Sequence, residues 1–194
     1  MSGGLDHLAP ALSALAAGAI AAGLAGRASP PVAVAGAPAE PAATFVTLTL
    51  GGARRGCIGS LRARRPLGED VAHNARAAAF EDPRFPALRP TEVAGLTGSV
   101  AVLSAETPIH AADGPALLAA LRPGIDGLVI EDRGRRATFL PAVWEQLPEP
   151  RDFLRALKRK AGLPELPSAS LVARRYTASA VVLVGLAAEI ADRQ

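Results

Sequence analysis

The alternation of apolar and polar residues is clearest beside the only cysteine of the chain. Residues 45–50 are rich in β-branched side chains, with apolar residues and threonine in alternation, which is typical of a half-buried strand. Gly51-Gly52 follows as a two-residue connection of the kind that closes a β-hairpin. An uninterrupted register across this turn pairs Val46 with Cys57 and puts Arg55 on the same face as Cys57. The pattern therefore predicts a hairpin that presents Arg55 and Cys57 together.

Helical periodicity marks three further stretches. Apolar residues recur at three-and-four spacing over about residues 5–25, 69–81 and 151–161, which predicts helices that pack on a core. Residues 8–26 carry no charge, but no basic segment precedes them, so a core helix fits better than a signal peptide or membrane span. The third helix has a basic face that we expect to be solvated or to contact an acidic partner, formed by Arg155, Lys158 and Arg159.

Composition limits the classes of protein and site. The chain has 194 residues, of which 49% are hydrophobic, enough for a packed core. Its formal net charge of +3 and its pI of about 9.7 permit contact with nucleic acid without requiring it. One cysteine excludes an intrachain disulfide and a cysteine-cluster zinc site, and the three histidines lack the spacing of metal ligands. We therefore expect no metal and, without a Walker loop or dinucleotide motif, no cofactor.

Cys57 admits two interpretations from the sequence. Free cysteines are often small buried hydrophobes, which predicts a packing role. A thiol beside Arg54 or Arg55 can instead be held as the reactive thiolate, which predicts a nucleophile. Gly56 and Gly59 flank the cysteine, and their missing side chains let another backbone or a ligand come close.

Asp82 and Arg84 form a second candidate group, where Pro83 ends the second predicted helix. A carboxylate and a guanidinium in such a turn can cap backbone groups or clamp a neighbouring segment. A turn-fixing pair and a substrate-binding role for Arg84 are both open. We expect the turn to meet the hairpin, so that Arg84, Arg55 and Cys57 converge on one cleft.

Several motifs together resemble a known family. Arg55 to Gly59 reads Arg-Gly-Cys-Ile-Gly and, with residues 45–48 before it, resembles the signature of the AMME syndrome candidate family, whose prokaryotic members are called AmmeMemoRadiSam system protein A. Further matches keep the family's order at residues 74–79, 82–85, 102–104, 124–128, 140–141 and 160–163. Ser99 departs from the pattern, because the family usually has a glutamate near this position. The resemblance implies a two-lobed fold, an unsettled activity, and work beside a Memo-type protein and a radical-SAM protein.

The combined prediction is a single α+β domain over residues 1–194. We expect a larger lobe at about residues 1–85 plus 149–194, built on a mainly antiparallel sheet covered by helices. A smaller lobe at about residues 86–148 should lie beside it, and clefts between lobes are common ligand sites.

We expect a cytoplasmic protein without membrane contact. Two functions are open for it. In the first, the protein is an enzyme with Cys57 as the catalytic thiol, and its substrate is a small acidic or nucleotide-like molecule. The residues that would bind this substrate are Arg55, Gly56, Gly59, Asp82 and Arg84. In the second, the protein is a non-catalytic binding module that docks a protein or RNA partner, and Cys57 belongs to the packing.

Overall fold

The computed structural model describes residues 5–28, 40–111, 113–165 and 170–193. The strands in chain order are β1 (Pro41–Leu50), β2 (Ala53–Gly59), β3 (Arg65–Pro66), β4 (Leu96–Leu103), β5 (Thr107–Pro108), β6 (Gly127–Asp132), β7 (Arg135–Phe139), β8 (Val172–Tyr176) and β9 (Ala178–Val182). The α-helices are α1 (Ala9–Leu24), α2 (Leu67–Phe80), α3 (Gly114–Ala120), α4 (Pro150–Ala161) and α5 (Leu186–Ala191). Short 3-10 helices cover Asp6–Leu8, Pro90–Gly95 and Pro141–Glu145. The fold is α+β, as the sequence predicts.

The chain divides into two units. The first comprises Met1–Leu103 and Ser179–Gln194, and the second comprises Ser104–Ala178. Each unit has its own sheet and its own hydrophobic core. The limits of the units differ from the predicted lobes, because residues 86–103 belong to the first unit and residues 149–178 to the second.

Strand β1 is central to the sheet of the first unit, whose order is β2-β1-β4-β9, with β3 paired to the start of β1. Val46 and Leu48 of β1 are 0% exposed and belong to the core. Helices α2 and α5 pack on this sheet, and α1 packs on both helices. Strand β4 pairs with β1 from Ala43↔Leu103 to Leu50↔Leu96. This long pairing is why the segment before residue 103 belongs to the first unit.

Helix α1 is the uncharged stretch predicted to be a core helix. Leu12, Ala16 and Ile20 are each 0% exposed in the core of the first unit. The stretch Asp6–Leu24 is long and apolar enough to cross a membrane by length and composition, but half of its apolar window is buried inside the chain. Gly23 lets α1 lie against α2, because a Cβ there would come within 2.3 Å of the Phe80 ring. The helix thus packs as the core helix that the sequence predicts.

The second unit has a sheet of order β5-β8-β6-β7, and α4 packs against it. Leu128 and Ile130 of β6 share the core with Phe153 of α4. Trp144 stacks on the Phe153 ring with centroids 3.7 Å apart, and its Nε1 donates to the carbonyl oxygen of Asp126 at 2.7 Å. Because α4 supplies this core, it belongs to the second unit and not to the predicted larger lobe.

The basic face of helix α4 is smaller than the sequence predicts. It ends where Gly162 takes the left-handed conformation, with φ at +67°. Lys158 is buried, and its Nζ donates to the carbonyl oxygen of Glu165 at 3.1 Å. The prediction that Lys158 belongs to an exposed basic face is therefore wrong, because this side chain folds back over the end of the helix.

Candidate functional site around Cys57

The pairing of β1 with β2 contains a β-bulge at Arg55. Leu50 pairs with Ala53 and Thr49 with Arg54, but Leu48 pairs with Gly56 and Thr47 with Cys57. Arg55 is the extra residue of the bulge. The uninterrupted register that the sequence predicts is therefore wrong beyond the first two pairs.

The one-residue shift changes the face on which the Cys57 side chain lies. Cys57 is beside Thr47, on the side of the sheet opposite to the buried Val46 and Leu48. Thr47 Oγ1 donates a hydrogen bond to Cys57 Sγ at 3.3 Å, and the thiol is half-buried. On the other side of Thr47 the register places Ser99, so the three residues form one row across the sheet.

Arg55 is turned into the interior instead of lying beside the thiol. It is 8% exposed, and its guanidinium donates from Nε and Nη2 to the Glu92 carboxylate at 2.7 and 3.1 Å. The hydrogen bond to Glu92 raises the pKa of Arg55, and the same bond lowers the pKa of Glu92 to about 2. The prediction that Arg55 shares the face of Cys57 is wrong, because the bulge moves it to the helix side. Its role in binding a substrate stays a prediction.

Asp82 and Arg84 clamp the backbone of Cys57 on the free edge of β2. The amide N–H of Cys57 donates to Asp82 Oδ2 at 2.9 Å, and its carbonyl oxygen accepts from Arg84 Nη2 at 2.9 Å. Arg84 also donates from Nη2 to Asp82 Oδ2 at 2.7 Å and from Nε to Asp82 Oδ1 at 2.9 Å. Because β2 is an edge strand, the clamp takes the place of a neighbouring strand. The structure thus brings Asp82, Arg84 and Cys57 together.

The charges of this clamp favour the ionised forms. The guanidinium of Arg84 holds the pKa of the Asp82 carboxyl well below its usual range, helped by the N–H groups of Cys57 and Arg84 and opposed by burial. The hydrogen bond to Asp82 raises the pKa of Arg84, opposed by burial and helped by the negative charge of the Asp82 carboxylate.

The two glycines around Cys57 are explained by packing within the chain. A Cβ at Gly56 would come within 2.0 Å of the carbonyl oxygen of Ala78 in α2. A Cβ at Gly59 would come within 2.3 Å of the Thr44 carbonyl oxygen and within 2.4 Å of the Phe45 ring. Another backbone thus approaches each glycine, as the sequence predicts, and a direct contact of either with substrate stays a prediction.

Comparison with known proteins fits this arrangement of motifs. The family model for AMMECR1 matches residues 13–181. The chain belongs to the AMMECR1 family. A protein of Methanothermobacter thermautotrophicus is 38% identical over 128 residues, which cover 62% of this chain and 63% of that protein. A Thermotoga maritima protein is 36% identical over 126 residues, with 64% of this chain and 68% of that protein covered.

A solved structure extends the comparison to the fold of this AMMECR1-family chain. The crystal structure of an uncharacterized protein from Pyrococcus horikoshii matches with a TM-score of 0.77 and 30% identity, over 90% of this chain and 91% of that one. The chain spans roughly half to two thirds of the length of the curated relatives it matches. These comparisons establish the family and the fold.

A buried polar network links the elements that carry the site, and the sequence analysis did not predict it. Asp70 Oδ2 accepts from the backbone N and the Oγ1 of Thr44, at 3.0 and 2.7 Å. Asn74 Nδ2 donates to Thr44 Oγ1 and to Asp70 Oδ2, each at 2.9 Å, and all three residues are buried. The network joins α2 to β1, and β1 pairs with β2, the strand that carries Cys57. The available signal was the polar pair Asp70 and Asn74 at i,i+4 spacing, inside the apolar face of the predicted helix.

Metal ligation has no visible support in the parts of the chain that the structure describes. No group of three or more His, Cys, Asp or Glu side chains in those parts could hold a metal ion. His73 and His110 are both exposed. The functional groups gathered at the site are a thiol, a guanidinium, a carboxylate and a hydroxyl group, from Cys57, Arg84, Asp82 and Thr47.

Proposed function

We propose that this AMMECR1-family chain is an enzyme in which Cys57 is a nucleophilic thiol and Arg84 is its cationic partner. The observation that carries the proposal is the hydrogen bond that the Thr47 hydroxyl donates to the sulfur at 3.3 Å, with the Arg84 guanidinium held on the carbonyl oxygen of the same cysteine at 2.9 Å. A hydroxyl donor and a nearby cation both favour a sulfur with negative charge, which is the nucleophilic form of a thiol. The clamp on the Cys57 backbone fixes the position of the residue that carries this sulfur.

In this proposal Asp82 acts by position and Arg84 by charge. Asp82 is a weak base near neutral pH, because Arg84 holds its pKa low and both of its oxygens accept hydrogen bonds. The Arg84 side chain is 52% exposed, so its guanidinium can also contact the acidic group of a substrate. These features support a small acidic or nucleotide-like molecule as the substrate.

A second candidate is the non-catalytic binding module. It is favoured because both arginines of the candidate site already have a carboxylate partner. Arg55 pairs with Glu92, and Arg84 pairs with Asp82. Their charges are then compensated inside the chain, and Cys57 contributes packing and one hydrogen bond.

Alkylation of the native protein with iodoacetamide distinguishes the two, because Cys57 is the only thiol. In this reaction the sulfur bonds to carbon, iodide leaves with the bonding electrons, and the thiol proton passes to the buffer. We expect labelling near neutral pH that slows roughly tenfold in Arg84→Met, since the loss of a nearby cation raises the pKa of a thiol by about one unit and so lowers its thiolate fraction about tenfold. Thr47→Val, which removes the hydroxyl donor, should slow it by a smaller factor.

The matched control is Arg89→Met. Arg89 is 75% exposed and lies near Glu92, not Asp82, so its loss should leave the labelling rate unchanged. In urea all variants should react at one rate. A native thiol that reacts only after unfolding would remove the enzyme proposal and leave the binding module. Protection of Cys57 by a panel of carboxylates and nucleoside monophosphates would identify the substrate class.

The partners and location that the resemblance implies belong to the same proposal. A Memo-type protein and a radical-SAM protein would act in the cytoplasm on the substrate or product of the Cys57 reaction. Co-purification of the tagged chain from cells that also produce both proteins tests direct contact. Recovery of the tagged chain in the membrane fraction would contradict a cytoplasmic location.

A further inference from the structure

A group of cations lies where the β6–β7 hairpin meets the C-terminal end of α4. We define the basic patch as Arg133, Arg135, Arg159 and Lys160, all of them exposed. The hairpin supplies the first two residues, and the last turn of α4 supplies the other two. Strand β7 and α4 pack against each other, which brings both pairs to the same end of the second unit.

Two of these cations are held in place by neutral groups. Arg135 Nη1 donates to the carbonyl oxygen of Gly162, directly after α4. Lys160 Nζ donates to the carbonyl oxygen of Thr138 at 3.1 Å and lies 5.2 Å from the centre of the Phe139 ring. A carbonyl oxygen or a ring positions a cation without cancelling its charge. The patch therefore combines fixed geometry with full positive charge.

No carboxylate neutralises the patch in the described part of the chain. None of its four cations has a carboxylate oxygen within 4.0 Å there, whereas the neighbouring Arg155 pairs with Asp152 at 2.6 Å. Of the acidic residues nearest in sequence, Asp132 is buried and accepts from Ser170 Oγ, Glu131 pairs with Arg136 and Arg174, and Glu165 is exposed. The C-terminal end of α4 attracts Arg159 and Lys160 by its dipole, but its charge of about −0.5 is smaller than the charge of these two cations. An anion from outside is the missing counterpart.

The tip of the hairpin carries backbone strain. Arg133 has φ at +49° and Gly134 has φ at +77°, the values of a type I′ turn. Arg133 is the one non-glycine residue with positive φ in the described residues. A left-handed conformation costs an L-residue of this kind about 1–2 kcal/mol, and Asn or Gly would adopt it more cheaply. Strain of this kind often accompanies a functional side chain.

We propose that the basic patch binds the phosphodiester backbone of a nucleic acid strand. The exposed large hydrophobic residues of the described chain lie outside the patch and are Ile125, Val172, Val182 and Val184. Of these, Val172 pairs with Glu131, on the sheet face opposite to Ala173 and the α4 core. Protein interfaces depend on apolar and aromatic anchors, whereas nucleic acid interfaces are polar and strongly positive. The composition of the patch thus favours a polyanionic strand over a protein partner, and the proposal is independent of Cys57.

Fluorescence anisotropy with labelled single-stranded RNA and DNA of the same sequence tests the proposal on the full chain. We expect binding at low salt that weakens as salt rises. Replacing all four cations of the patch by Gln should weaken binding at least tenfold and reduce the log–log salt slope by about 3, since each phosphate contact to a single strand contributes about 0.7. The double variant R159Q/K160Q changes only helix-compatible surface positions, and it should reduce the slope by about 1.4.

The matched control removes the same charge from the first unit, by R27Q, R54Q, R62Q and R64Q. These arginines are also exposed and also lack a carboxylate partner in the described chain, so binding should survive their loss.

Equal binding of RNA and DNA indicates backbone recognition, and a preference for RNA indicates added contacts to the 2′-hydroxyl. The proposal is overturned if neither strand binds at low salt, or if the control variant loses as much affinity as the patch variant. A polyglutamate peptide that binds the patch as tightly as either strand would also overturn it, in favour of an acidic protein.

Discussion

The Cys57 site and the basic patch use arginine in opposite ways. At the Cys57 site Arg55 is paired with Glu92 and Arg84 with Asp82. In the patch Arg135 and Lys160 donate to backbone carbonyl oxygens, so their charges stay unmatched in the described chain. The number of arginines in a motif therefore says little about anion binding until the partner of each is known.

The difference assigns separate roles to the two regions. A carboxylate–guanidinium pair such as Asp82–Arg84 has several donors and acceptors in fixed directions, so it can hold a strand edge. A cation held by a carbonyl keeps its attraction for an outside anion. Variants of the Cys57 site should accordingly lose stability, whereas variants of the patch should lose salt-dependent binding.

Removal of the Asp82 carboxylate should have the largest effect on stability. Asp82→Ala leaves the N–H of Cys57 without its acceptor and Arg84 without its partner. Breaking a buried ion pair from one side costs about 3–5 kcal/mol, and the exposure of Arg84 reduces the expected loss to about 3 kcal/mol. Urea unfolding measures it. Asp152→Ala, in the exposed pair with Arg155, should cost less than about 1 kcal/mol, and equal losses would contradict the structural role of the clamp.

Gly56→Ala should be the next most damaging change. Its Cβ would come within 2.0 Å of the Ala78 carbonyl oxygen, and a helix backbone cannot give way as a flexible side chain can. Overpacking of this kind costs about 1–3 kcal/mol. Gly18→Ala is the matched control, because a Cβ there meets nothing within 4 Å, and it should stabilise α1 by about 0.5–1 kcal/mol. A neutral Gly56→Ala variant would show that the motif glycine serves something other than packing.

The sequence predicted strand β1 and the fold, but it did not predict the bulge at Arg55. The alternation of residues 45–50 identified β1 correctly, and the motif resemblance identified the fold. The bulge at Arg55 could not be predicted, because two consecutive arginines after Ala53 give no sign of which one is the extra residue. A shift of one residue moves every later side chain to the other face, so Arg55 and Cys57 were wrongly placed together.

The remaining errors have tertiary causes. Arg84 was correctly expected near Cys57, but its second role at the backbone carbonyl depends on where the turn after α2 meets β2. Lys158 was assigned to solvent by helical periodicity, which cannot show a side chain that returns to a carbonyl beyond the end of the helix. The extent of each unit follows from strand pairing over long sequence separation, and local pattern carries no information about such pairing.

Acid should weaken the first unit through Glu92. Arg55 lowers the pKa of this carboxyl from its ordinary 4.5 to about 2. A carboxyl with a lower pKa in the folded state contributes stability above its unfolded pKa, and the contribution is lost as pH falls through the folded value. We expect a loss of about 1–2 kcal/mol from Glu92 between about pH 4.5 and pH 2. Urea titrations at several pH values measure it, and Glu92→Gln should show a flatter decline. Identical pH profiles of the two proteins would contradict the Arg55–Glu92 assignment.

The smallest expected effect has the opposite sign and belongs to the patch. Arg133→Asn replaces a residue held at φ +49° by one that adopts the left-handed conformation more readily. We expect the free energy of unfolding to rise by about 0.5–1 kcal/mol, while the salt slope for a single strand falls by about 0.7. Arg151→Asn in α4 removes the same charge without relieving strain, and it should lower stability slightly because Asn is a poorer helix former. Thermal unfolding and anisotropy on both variants separate the two contributions. If Arg133→Asn lowered stability and left the salt slope unchanged, Arg133 would be a structural residue of the turn and not part of the binding surface.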